Sequence, residues 1–158
     1  MIVVADASPL IALARIGRLE LLRALFGTLV LPNAVWREVT EAGRDKAGAA
    51  TVLQADWIGR RDVSDQGLVT LLRQDLGAGE AEAIALAREV SADLVLLDER
   101  LGRAAAKRLG LRVTGLVGVL IEARERGLLA DAEAVVDALH RQAGFWLAEE
   151  LRRMVRGA

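Results

Sequence analysis

The sequence predicts an α/β fold, a three-layer α/β/α arrangement with a central, mostly parallel sheet. Three observations carry this. Ile2 to Ala5 and Asp93 to Asp98 hold almost continuous apolar runs, the pattern of strands buried on both faces of a parallel sheet. Helical segments separate the candidate strands, and parallel neighbours require such crossovers. A chain of 158 residues with 53% hydrophobic residues suits one domain over residues 1–158 with a substantial core and no covalent staples.

Each element has a local reason. After the first strand, Ser8-Pro9 starts a helix, Ser8 as the cap and Pro9 with its preset backbone angle. Leu10, Ile11 and Leu13 continue it to the break at Gly17, and Leu19 to Phe26 forms a second helix ending at Gly27. Thr28 to Leu31 is a short strand, and Pro32-Asn33 opens a helix through Val35, Val39 and Ala42 that stops at Gly43. Ala47 to Leu53 is a weaker helix. Trp57-Ile58 begins an edge strand, with the charged Arg60, Arg61 and Asp62 suited to exposure. Gly77-Ala78-Gly79 turns the backbone into an Ala-rich helix, Glu80 to Val90. Past Asp98 come a helix from Glu99 to Leu109, a short strand at Arg112-Val113, and a helix from Thr114 to Glu125. Two last helices, Asp131 to His140 and Leu147 to Val155, fill residues 131–156 and lie at a core edge or a subunit interface.

Composition removes several function classes. Twenty-one Lys and Arg against 22 Asp and Glu give a formal charge of -1, so a nucleic-acid partner must be held by a local patch. Without cysteine there is neither a disulfide framework nor a Cys-ligated zinc site, and one histidine, His140, leaves little for His-based metal binding or a serine triad. The opening Met1 to Ala5 lacks a basic leader and is too short for a signal peptide. No apolar stretch is long enough to span a bilayer. The expected location is cytoplasmic, with no membrane partner.

Four acids stand out by position. Asp6 follows the first buried strand and Asp98 ends the second, and ligands of such sheets bind beyond the carboxyl ends of strands where strand order reverses. Glu80 opens the mid-chain helix and Glu38 lies on an early one. Converging carboxylates suit a hard divalent cation. Ordinary explanations stand beside this one. Asp98 is also a natural cap for the helix that follows, Glu80 and Glu82 complement the dipole of the mid-chain helix whose first turn they occupy, Glu99 has an equally ordinary place in its own helix, and Glu38 fits a solvated helix face.

Rival chemistries lack their residues. No glycine-rich run ends in Gly-Lys-Ser or Gly-Lys-Thr, and Gly77-Ala78-Gly79 lacks a third glycine and a preceding strand. Asp6-Ala7-Ser8 is not the Asp-X-Asp of a dehalogenase-type phosphatase, and a small-molecule phosphatase is a distant third reading.

The blocks Val4-Ala5-Asp6-Ala7-Ser8-Pro9-Leu10-Ile11, Pro32 to Glu38, Gly79-Glu80-Ala81-Glu82-Ala83-Ile84 and Leu96-Leu97-Asp98 resemble the signature blocks of PIN domains. Val113 to Leu120 is also similar to a prokaryotic PIN-like branch. The resemblance implies RNA cleavage with Mg2+ or Mn2+, commonly by the toxin of a VapBC-type toxin-antitoxin pair. It also implies a small antitoxin partner and a homodimer. Carried over by position, Asp6, Glu38, Glu80 and Asp98 match the four acids and Ser8 the small hydroxyl residue beside the first. Asp6, Glu80 and Asp98 are then the metal ligands, with Ser8 and Glu38 completing the catalytic set. Glu80 departs from the usual aspartate by one methylene, and Glu82 is an alternative for its role. Arg103, Arg15 and Arg37 are candidate phosphate contacts. The competing reading is a PIN-like module that binds nucleic acid or protein without turnover.

Overall fold

A computed structural model describes residues 1–41 and 46–157. Five parallel strands form one sheet: β1 (Val3–Ala5), β2 (Leu29–Pro32), β3 (Ile58–Arg61), β4 (Leu94–Leu96) and β5 (Val113–Thr114), in the order β3-β2-β1-β4-β5. The two most apolar strands are therefore neighbours at the centre. Val3 pairs with Leu94, Val4 with Val95 and Ala5 with Leu96, and all but the half-buried Leu94 are buried. The chain leaves β1 toward β2 and β3, then returns to β4 on the other side. The strand order thus reverses between β1 and β4, and a crevice opens at their carboxyl ends.

Helices cover the sheet. They are α1 (Ala7–Arg15), α2 (Glu20–Phe26), α3 (Asn33–Thr40), α4 (Lys46–Gln54), α5 (Gln66–Leu72), α6 (Ala78–Glu89), α7 (Arg100–Arg108), α8 (Leu116–Glu125), α9 (Ala132–Ala143) and α10 (Glu149–Arg156). One group joins α1 with α4 and α9, another joins α5, α6 and α7, and α6 also lies against β1, β2 and β4. α3 touches both groups, with α1 and α4 on one side and α6 on the other. That bridging position brings its side chains to the crevice.

Three local expectations are corrected. Ser8 does not cap α1: the helix begins at Ala7, Asp6 occupies the cap position, and Ser8 is exposed within the first turn. Gly79 is buried inside the first turn of α6, with Gly77 at its cap. The sequence reading also passes over α5, whose cap Asp65 accepts a 3.0 Å bond from the Leu68 N–H. Ala42, Gly43 and Arg44 lie outside the described residues.

Trp57 is buried in the core, and β3 is an edge strand whose Arg60 and Arg61 are exposed. Beyond α9, Leu147 is buried while Trp146 is 70% exposed and packs edge-on to His140. Among the described residues no helix is long and apolar enough to cross a membrane.

Candidate active site

A cleft of about 250 Å3 opens at the β1 and β4 carboxyl ends, and all four predicted acids line it together with Ser8 and Glu99. Asp6 is its buried floor, 6% exposed. Its N–H donates to the Leu96 carbonyl at 2.9 Å, tying the end of β1 to β4. Burial is the main cause that raises its pKa from 3.8 to about 7; the Ala7 N–H opposes this, and the charges of Glu38, Glu80 and Asp98 add to it.

Asp98 is held on one side only. Its Oδ1 accepts a 2.7 Å bond from the N–H of Leu116, the first residue of α8, while its Oδ2 is buried without a partner. Burial raises its pKa, and the Leu116 N–H and Arg103 guanidinium work against that rise. The cap of α7 is Glu99, so Asp98 is not explained as that helix's cap. Gly115 is required here, because a methyl group on it would stand 2.5 Å from Asp98 Oδ1.

Glu80 is half-buried, and burial raises its pKa, followed by the charges of Glu99 and Glu38. Its oxygens flank two glycines: methyl groups at Gly77 and Gly102 would lie 3.7 Å from Oε1 and 3.3 Å from Oε2. Glu38 stands at the rim on α3, and partial burial of its carboxylate raises its pKa as well. Glu82 belongs elsewhere, since its Oε1 accepts from the Ala34 N–H at 3.1 Å and satisfies the start of α3. Glu99 reaches the cleft although sequence reasoning assigned it only to the helix dipole; adjacency to Asp98 was the one available signal.

The predicted cations separate. Arg103 donates from Nη1 to the Leu97 carbonyl at 3.0 Å, so it braces the loop that carries Asp98. Arg15 is the last residue of α1, at the end remote from Asp6. Arg37 is exposed on α3 next to Glu38.

A family model described as a PIN domain matches residues 2–157. The chain belongs to the PIN domain family. No curated protein matches it. PIN domains are generally nucleases and typically use divalent metals. Among the described residues of this PIN domain, no group of three acids is placed to hold a metal. Its donors nevertheless fit a hard cation: every one is a carboxylate, Asp98 Oδ2 lacks a partner, and Asp6 is buried where the charges of Glu38, Glu80 and Asp98 raise its pKa.

Gly79 sets how closely two of these acids approach. A methyl there would lie 3.1 Å from Glu38 Oε1 and 3.2 Å from Asp6 Oδ1, tighter than ordinary contact. Gly79→Ala is therefore expected to weaken Mn2+ binding by roughly tenfold or more, since small misplacements in such sites are costly. The fold should persist, because the helix preference of Ala over Gly, up to ~1 kcal/mol, offsets part of that crowding. Unchanged Mn2+ affinity in calorimetry would refute the steric account.

Proposed function

We propose that this PIN domain is a metal-dependent endoribonuclease folded as one domain. Asp6 and Asp98 would hold Mg2+ or Mn2+, with Glu80 as the third carboxylate, bound directly or through water. When bound, the cation supplies Lewis-acid polarisation of the scissile phosphate and lowers the pKa of a water. Leu116 holds Asp98 Oδ1 and Arg103 braces the loop, so the unpartnered Oδ2 would be the oxygen left for the cation. Asp6 completes the pair from the floor. Glu38, at the rim, orients the attacking water and takes its proton at a carboxylate oxygen. Ser8, exposed beside Asp6, hydrogen-bonds within this shell.

The observation that carries this reading is the unpartnered, buried Asp98 Oδ2 in one cleft with the buried Asp6. An Mn2+ titration by calorimetry tests it, comparing the wild type with an Asp6→Asn plus Asp98→Asn variant. Binding by the wild type and none by the variant is the expected result. Identical curves would favour a binding module without turnover. The placement of Glu80 between Gly77 and Gly102, rather than in a formed ligand set, supports that second reading.

A toxin role with a small antitoxin and a homodimer extends the proposal on the strength of the family resemblance. The exposed Trp146 and Met154 near the C-terminus give such a partner apolar surface.

A further inference from the structure

The sheet's carboxyl edge is charged unevenly. Val4 pairs with Val30, and Pro32 with Arg61, so Arg61 ends β3 level with Asp6. It lies two strands away, roughly 10 Å at ordinary strand spacing. α3 starts between them, and Glu38 reaches the cleft from it. Arg61 and the acids therefore share the carboxyl edge of the sheet.

Asn33 organises these cations. Its side-chain oxygen accepts from Arg60 Nε at 2.5 Å, its backbone carbonyl from Arg37 Nε at 3.4 Å, and its amide nitrogen donates to Asp62. Both guanidinium groups are thus anchored through Nε, which leaves their Nη edges for another acceptor. Arg60 also lies 6.0 Å over the Trp36 ring, itself half-buried against the core. Arg37, Arg60 and Arg61 are all exposed, and none pairs with a carboxylate among the described residues. Arg152 and Arg156 of α10, by contrast, are tied to Glu133, Asp137 and Glu149.

We propose that Arg37 and Arg60, aimed by Asn33 and Trp36, form a track for single-stranded RNA that leads from the β3 edge into the acidic cleft. This rests on the ribonuclease reading for its direction. The two forks take phosphate oxygens, which carry affinity without sequence preference. The Arg60 guanidinium stands over the Trp36 ring at 6.0 Å, and its exposed side is left for a base to stack on. Stacking on a guanidinium plane needs a base free of its own neighbours, which favours a single strand over a duplex. Arg100, Lys107 and Arg108 on α7 also lack ion-pair partners, but no hydrogen bond from a neighbouring side chain orients them among the described residues.

Anisotropy of a labelled single-stranded oligoribonucleotide, measured in EDTA over a salt series, tests the track. Arg37→Gln plus Arg60→Gln is expected to weaken binding at least tenfold. It should also flatten the salt dependence by about 1.4, from roughly 0.7 per lost phosphate contact on a single strand. Arg60→Lys keeps the charge and loses the fork, so it should weaken binding with little change of slope. Lys107→Gln plus Arg108→Gln should bind as the wild type does, and all melting temperatures should agree. Wild-type affinity and slope in the Arg37 and Arg60 variant would overturn the track. So would an equal loss in the α7 variant, preference for a duplex, or no binding by the wild type. Track and nuclease can fail separately. RNA binding lost in the double variant of a protein that neither binds Mn2+ nor cleaves RNA removes the nuclease alone, whereas cleavage with unaltered binding removes the track alone.

Discussion

Asp98→Asn is expected to abolish metal-dependent RNA cleavage and leave the fold standing. Asparagine keeps the side chain's shape and one carbonyl oxygen, so the 2.7 Å bond from the Leu116 N–H can still form. What changes is the other arm. An amide NH2 replaces Oδ2, the buried oxygen that has no partner in the protein, and an N–H donor cannot ligate a cation. Removing an outer partner of a metal site costs roughly 10- to 100-fold, and loss of a direct ligand should exceed that. Metal-free stability should not fall at neutral pH, because the variant no longer carries a charge that burial disfavours there. Cleavage of a labelled oligoribonucleotide with Mn2+, alongside a metal-free melt, checks both halves. Wild-type turnover would take Asp98 out of the mechanism.

The legible part of this site was the part fixed by strands. Two apolar runs each followed by an acid predicted a switch-point crevice, and pairing of Ala5 with Leu96 puts Asp6 and Asp98 there. Local sequence could not decide between acids whose partners are remote. Asp98 looked like a cap for α7, yet its bond goes to Leu116, 18 residues on. Glu82 and Glu80 sit two apart on one helix, and only the contact of Glu82 with Ala34, 48 residues away, separates their roles. Ser8 was misassigned because serine caps well in general, whereas the helix begins one residue after Asp6. Asn33 gave no signal at all, since its importance comes from β3 lying alongside.

Gly79 and Gly115 show a second limit. Both were visible as glycines, but neither has the positive backbone angle that marks a turn glycine. Their purpose is space: each leaves room for a carboxylate that arrives from another element. Close approach across elements is a property of the packed molecule. Expectations about turns therefore placed Gly79 before the helix it helps to start.

Metal-free protein is expected to lose stability as pH rises from about 4 to about 7, and Asp6→Asn to remove much of that slope. Asp6 has its pKa raised from 3.8 to about 7, first by burial and then by the neighbouring carboxylates. Between those values the folded protein holds a proton that the unfolded chain has released, so stability falls with rising pH. The benefit is complete below the unfolded value and gone above the folded one. At ~1.4 kcal/mol per pH unit the gap sets a ceiling on the order of 4 kcal/mol. Asparagine cannot titrate, so the difference between the two pH profiles reports Asp6 together with its coupling to Glu38, Glu80 and Asp98. Mn2+ should act in the opposite sense. A cation at 100 times its dissociation constant adds about 2.7 kcal/mol to the folded state, and it competes with the proton, so its effect should grow toward pH 7 in the wild type and be absent in Asp6→Asn. Denaturant melts at pH 4 and pH 7, with and without Mn2+, give all four values. Parallel profiles for the two proteins would mean that Asp6 titrates as an ordinary carboxylate, and burial in the cleft floor would then not set its proton affinity.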